Sequence, residues 1–331
     1  MLSGSQQGLV LRSADGTSSL RALGLFQFQL AQDWVDGAPD AASFFVHRAR
    51  VGLSGNLLGG DLRTLFVGEL GGGDPRLLFL SVDYTVIPDR LAVRVGQFKR
   101  PFSRPFLTLA SQLAMIDRPL TAGPGAFGDG VDLGVMLHDA GAGPLEYAVG
   151  VFSGAGPGAV TDPVHPLIAA RVGYGTAGLN PYSESDLEGG PPRFGIAVAG
   201  IVDFDADGDD TSFTSGLVDL MFKAEGFTLT SAVTLGYTQR GRRWPDQRLN
   251  AVGHYTQVGY VVGNRVEPVV RCSFLLPRGE GANHHDLAAG ANLYIRGQAF
   301  KWQSVVSVRL QPRDGSGTRD VSLQSQLSLS F

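Results

Sequence analysis

Along most of its length the chain alternates apolar with polar or small residues. The runs are roughly 8 to 14 residues long, and clusters of Gly, Pro, Asp and Asn separate them. A period of two is the signature of a strand with one apolar face, and it predicts about sixteen strands. They begin near 18–33, 43–58, 61–72, 76–87 and 90–99, resume at 131–139, and end with 319–331. Helical spacing is almost absent; its one candidate is 107–116, LTLASQLAMI. The separators alternate in length. Gly59-Gly60, Pro88-Asp89, Glu225-Gly226, Gly263-Asn264 and Gly297-Gln298 are short, whereas 35–42, 101–130, 154–166, 203–210, 241–247, 277–283 and 312–317 are longer. Residues 176–192 break this rhythm, because a short turn is expected there. No shift in composition marks a linker, so residues 18–331 are expected to form one domain, with 1–17 as a lead-in.

The two faces of each strand differ in chemistry. In SFFVHRARVGLSGN, Arg48, Arg50, Gly52, Ser54 and Asn56 share one face, opposite Phe45, His47, Ala49, Val51 and Leu53. In the last run Ser322, Gln324, Gln326, Ser328 and Ser330 oppose Val321, Leu323, Leu327, Leu329 and Phe331. A soluble barrel would bury the apolar face, whereas a membrane barrel turns it to lipid and keeps the polar face around water. Arginines on a face of small residues favour the second arrangement. The expected fold is therefore an all-β, transmembrane, antiparallel up-and-down barrel. A soluble all-β enzyme or lectin is the alternative with the opposite polarity.

Composition narrows the function classes. The 27 basic and 31 acidic residues give a net charge of −4, so no basic excess points to nucleic acid. No uncharged apolar run is long enough for a membrane-spanning helix. The single Cys272 excludes an intrachain disulfide. The start, MLSGSQQGLVLRS, lacks a charged-then-apolar leader, and a signal segment is expected to have been removed. There is no G-x-S-x-G elbow, and the six scattered histidines offer no triad, so covalent catalysis is not expected. No cofactor is implied. Asp203, Asp205 and Asp207 match the front of a calcium loop, but position 12 is Thr214 and strands flank it, so a solvated acidic loop is the simpler reading. His284-His285-Asp286 lacks a spaced third ligand for a metal.

Several stretches resemble the phosphate-selective porins O and P of bacterial outer membranes: HRARVGLSG (47–55), VDYTVIPDRLAVRVGQFKRPFS (82–103), MIDRPL (115–120), GDGVDLGVML (128–137), VEPVVRCS (266–273) and ANLYIRGQAFKWQ (291–303). The resemblance implies a sixteen-stranded, usually trimeric outer-membrane channel whose long third loop, here 101–130, folds into the pore. It implies lipid, lipopolysaccharide and small anions such as phosphate as partners. Separately, Arg240, Arg242 and Arg243 make a basic cluster at Trp244, which reads first as an exposed loop, with contact to lipopolysaccharide phosphates as the alternative. The basic residues carried over by matching motifs are Arg48, Arg50, Lys99 and Arg118. Arg94, Arg100, Arg104 and Arg271 join them as expected lumen or loop cations, because a ring of Arg or Lys favours anions. Acidic wall positions, among them Glu69, Asp83, Asp132, Glu146, Asp219 and Glu267, are expected to pair with many of the wall cations. A structural barrel with a blocked lumen, acting as a platform for a protein partner, is the alternative.

Overall fold

The computed structural model describes residues 2–5, 8–123, 126–141, 143–159, 166–204, 212–239, 248–278, 283–313 and 316–331. The strands are β1 (Leu2–Ser5), β2 (Gly8–Arg12), β3 (Ser19–Val35), β4 (Ala38–Leu57), β5 (Leu62–Glu69), β6 (Arg76–Ile87), β7 (Leu91–Lys99), β8 (Val131–His138), β9 (Leu145–Phe152), β10 (Leu167–Gly175), β11 (Arg193–Asp203), β12 (Ser212–Ala224), β13 (Phe227–Gln239), β14 (Arg248–Tyr260), β15 (Val266–Arg278), β16 (His284–Arg296), β17 (Phe300–Arg313) and β18 (Ser316–Ser330).

From β3 onward each strand pairs antiparallel with the next, and β18 returns to β3. Of the eighteen strands, β1 and β2 form a small hairpin laid against the start of β3, which leaves sixteen in a closed ring. At the seam Leu25 to Val35 face Ser330 to Asp320. Gly24 and Phe331 then exchange two backbone hydrogen bonds of 3.1 Å. A Cβ on Gly24 would stand 2.4 Å from the Phe331 ring, so glycine lets the aromatic close over the join.

Polarity is inverted with respect to a soluble barrel. In β8, Leu133, Val135 and Leu137 are 54%, 50% and 44% exposed, whereas the alternate residues Asp132 and Met136 are buried. In β18, Leu323, Leu327 and Leu329 are exposed while Gln326 and Ser328 are buried. An outer wall of Leu, Val, Ile, Phe and Tyr around a polar interior is stable only against lipid. The strands therefore cross a membrane; no helix among the described residues is long and apolar enough to do so.

The short connections lie at one end of the barrel. Glu225-Gly226 has φ of 49° and 89° at its two residues, the left-handed pair that a two-residue hairpin turn needs. At the other end, 35–42 departs from expectation. The strands continue to Val35 and from Ala38, and Asp36-Gly37, with φ of 49° and 83°, turns the chain in two residues. A second departure is His47. Gln27 pairs with Arg48 and Phe28 with Val46, so His47 is the extra residue of a bulge. The bulge brings it off the lipid face, and its imidazole Nδ1 lies 3.1 Å from the lumen-facing Gln326 Oε1. The expected helix at 107–116 is instead one helical turn, α1 (Arg104–Leu107), followed by a 3₁₀ turn, Ala110–Gln112. Ser103 caps α1 by accepting from the Phe106 N–H, and Pro105 suits the first turn, where its missing donor costs nothing.

Candidate functional site: a braced constriction in the lumen

The third loop, 101–130, enters the lumen after β7 and crosses to the far wall. Phe102, Phe98, Phe127, Phe152 and Ile201 form a packed cluster where it leaves the wall. Further along, Leu113, Ala114, Met115 and Ile116 are buried. The far wall holds this stretch by its backbone: Lys301 Nζ donates to Leu113 O at 2.6 Å, Asn292 Nδ2 to Ala114 O at 2.9 Å and Arg271 Nη1 to Asp117 O at 2.6 Å. Polar lumen residues thus satisfy an irregular backbone that no sheet pairs. The two ends of the loop are drawn together by Asp129, which accepts from the Ser103 hydroxyl, from Ser103 N–H at 3.2 Å and from Gly123 N–H at 3.3 Å. Burial pushes the Asp129 carboxyl up to about 7, against these donors.

Residues 176–192 also fold inward, from the opposite end. Glu184 N–H donates to Gln112 O at 3.1 Å, and Glu184 Oε2 accepts from Ala114 N–H at 2.9 Å and Gln257 Nε2 at 3.0 Å. Ser185 Oγ donates to Glu267 Oε2 at 2.9 Å, and Asp186 accepts from Arg193 at 2.6 Å and from Gly226 N–H at 2.9 Å. The third loop is therefore met in the middle of the lumen by a second inward segment. Their junction is a reciprocal pair of contacts between 112–114 and Glu184.

The eight cations singled out in the sequence divide into two groups. Arg100, Arg104, Arg94 and Arg271 are tied to carboxylates. Arg100 Nη2 reaches Asp132 at 2.7 Å, Arg104 Nε reaches Asp219 at 2.7 Å, Arg94 Nε reaches Asp83 at 2.8 Å, and Arg271 lies 3.6 Å from Asp286. Asp219 also takes Arg171 at 2.7 Å, and Arg171 takes Glu146 at 2.9 Å, so this part of the wall is an alternating charge network. The other four cluster: Arg50 and Arg118 lie within electrostatic reach of each other, and each senses Arg48 and Lys99. Lys99 gives its three N–H bonds to the carbonyls of Phe106, Leu107 and Thr108 at 2.6, 3.1 and 3.2 Å. Arg118 donates to Pro105 O at 2.7 Å and Thr108 O at 2.8 Å. Both cations stand over the Phe106 ring, 5.3 and 5.6 Å from its centroid. Arg48 Nη1 donates to Gln27 Oε1 at 2.7 Å, and Arg50 Nε to Glu69 Oε2 at 2.7 Å. Asp117 is the nearest loop carboxylate, 3.7 Å from both His47 and Arg48.

Beside the loop a cavity of about 790 Å³ remains, bounded by β5–β11, the loop and residues 174–182. Sequence reasoning did not find Glu184 as the junction residue or Asp117 as the carboxylate beside Arg48, nor Asn292, Lys301 and Gln303, whose Nε2 donates to Leu113 O and Ala114 O, as the dock for the loop. The one available signal was the polar run Ser183-Glu184-Ser185-Asp186 in a connection expected to be short. Of the calcium candidates, Asp205 and Asp207 lie outside the described residues, as do Arg240, Arg242 and Arg243; Asp203 ends β11. Among the described residues no cluster of His, Cys, Asp and Glu could hold a metal ion.

No protein-family model matches this chain, and no curated protein sequence matches it. Solved structures do. The anion-selective porin from Comamonas acidovorans superposes with a TM-score of 0.67 at 16% identity, over 94% of this chain and 100% of that one. The fold is that of the bacterial outer-membrane porins. The outer membrane channel DcaP of Acinetobacter baumannii gives a TM-score of 0.67 at 14% identity over 98% of this chain and 100% of that one. Salmonella typhi OmpF gives 0.64 at 10% identity over 97% and 100%. At these identities the porin likeness is one of fold.

Proposed function

We propose that this chain is an outer-membrane porin, a passive channel for small solutes that prefers anions. The observation that carries the reading is the cluster of Arg48, Arg50, Lys99 and Arg118 where the third loop leaves the wall. Elsewhere in the lumen, cations alternate with carboxylates and their fields largely cancel. Here four cations stand with Glu69, Asp117 and Glu184 as carboxylates within reach, together with Asp129, whose burial favours its neutral form. Low-dielectric walls focus such a local excess, so it outweighs a net charge of −4 spread over the chain. The anion-selective porin among the structural neighbours supports this reading, and the RAR, GQFK and IDR motifs support a phosphate-porin relationship. A homotrimer is proposed on the same footing, since one neighbour, OmpT of Vibrio cholerae, was solved in a trimer form.

The test is the reversal potential of the purified protein in planar bilayers under a KCl gradient. An anion-selective potential is expected, and replacing Arg48 and Arg50 together by Ala should move it towards zero. A cation-selective wild type ends the anion reading. The inward segment 176–192, joined to the third loop, favours a second reading: a closed barrel used as a platform. Absence of any conductance step would favour that one.

A further inference from the structure

Of the four carboxylates near the cation cluster, one is held differently from the rest. We infer that Asp117 is a tethered, displaceable counter-ion: its carboxylate occupies the anion site beside Arg48 and His47, and a permeating anion takes its place. This inference rests on the anion-channel reading above and names the residue that sets how tightly the solute is held.

Three of the four carboxylates are parts of the frame. Glu69 is buried and accepts from Arg50 Nε at 2.7 Å, Ala49 N–H at 2.8 Å and Gly71 N–H at 3.1 Å. Glu184 is buried between Ala114 N–H and Gln257 Nε2, and Asp129 between Ser103 and Gly123. Removing any of them would leave buried donors unpaired. Asp117 is different, with a side chain 47% exposed. Its Oδ1 lies 3.7 Å from both His47 Nε2 and Arg48 Nη2, close enough for attraction but too long for a hydrogen bond. Its Oδ2 takes a long bond of 3.3 Å from Gln324 Nε2.

The loop does not depend on this carboxylate for its position. Arg271 holds Asp117 by its backbone carbonyl at 2.6 Å, and Lys301, Asn292 and Gln303 hold Leu113 and Ala114 in the same way. The carboxylate therefore extends from an anchored backbone into the lumen. Facing it, Arg48 gives Nη1 to Gln27, while among the described residues its Nε and Nη2 have no acceptor within hydrogen-bond distance. A guanidinium with spare donors beside a loosely held carboxylate is an anion site filled by the protein's own anion. Conduction needs binding weak enough for the ion to leave. With Asp117 present, an entering anion gains Arg48 only by displacing a charge of its own sign, and the tether returns that charge as the anion moves on. Asp117 thus lowers selectivity and raises throughput.

The experiment compares Asp117→Asn with wild type in planar bilayers, by reversal potential in a KCl gradient and by single-channel conductance as KCl is raised. The amide keeps the side chain's shape and an oxygen for Gln324, so only the charge is lost. A more anion-selective reversal potential is expected. Conductance should half-saturate at a KCl concentration about fivefold lower, the effect of removing one charge at about 4 Å in water. Asp117→Glu, which keeps the charge, should return both readouts towards wild type. Unchanged selectivity and saturation in Asp117→Asn overturn the inference. Weaker selectivity with larger steps also overturns it, because that is the result of a side chain that only holds the loop, and so does an Asp117→Glu channel that behaves like Asp117→Asn. A cation-selective or non-conducting wild type would instead overturn the underlying channel reading, which the wild-type KCl measurement reports before any variant is made.

Discussion

Asp129 shows how a single buried acid ties the third loop to pH. It is 1% exposed and holds Ser103 and Gly123 from both ends of the loop, yet burial favours its protonated form, near pH 7 instead of the ordinary 3.8. The folded chain therefore binds this proton more firmly than the unfolded chain does. The stability it contributes is fully present below about pH 4 and is lost as pH rises through about 7. The heat-unfolding temperature in detergent should fall between pH 5 and pH 8, and Asp129→Asn should flatten that slope; a steeper slope in the variant would contradict the assignment. Single residues are also where the sequence was least legible. The charges of Arg100 and Arg104 can be read from KRPFSRPF, but their partners cannot: Asp219 lies 115 positions from Arg104 and is brought to it only by ring closure. His47 was placed on the wrong face because strict alternation has no means of announcing a bulge.

At the scale of elements, the strands were legible because inverted polarity leaves a period of two in nearly all of them. Tight turns such as Glu225-Gly226 and Gly263-Asn264 were legible because positive φ calls for glycine or asparagine. The Asp36-Gly37 hairpin carried the same signal, but the Ala-rich and Pro-containing APDAAS that follows reads as loop and masked it. Residues 176–192 have no period because they are held by backbone contacts to another irregular segment. Glu184→Ala should leave Ala114 N–H and Gln257 without their acceptor, at a cost of about 1–3 kcal/mol for an unsatisfied buried donor. The expected readouts are a lower unfolding temperature, faster protease cleavage within 109–117 and larger single-channel steps. Unchanged conductance with cleavage at the wild-type rate would show that the third loop needs no brace.

For the whole molecule, the decisive quantity is the apolar outer wall. Val135 is 50% exposed in the middle of β8, between Leu133 and Leu137. Val135→Arg should destabilise the barrel by about 2–4 kcal/mol, the midplane cost of a cation on the lipid face, as read from urea unfolding in lipid bilayers. A loss below about 0.5 kcal/mol would mean that this wall does not face hydrocarbon. The seam has a further consequence. β3 meets β18 across nearly three hundred intervening residues, whereas every other pair in the ring is local. Until β18 exists, β3 and the newest strand both present unpaired edges, which hydrocarbon does not tolerate. The wall therefore cannot be laid down strand by strand into lipid as synthesis proceeds. Closure must come last, and until then those two edges must be kept out of contact with hydrocarbon.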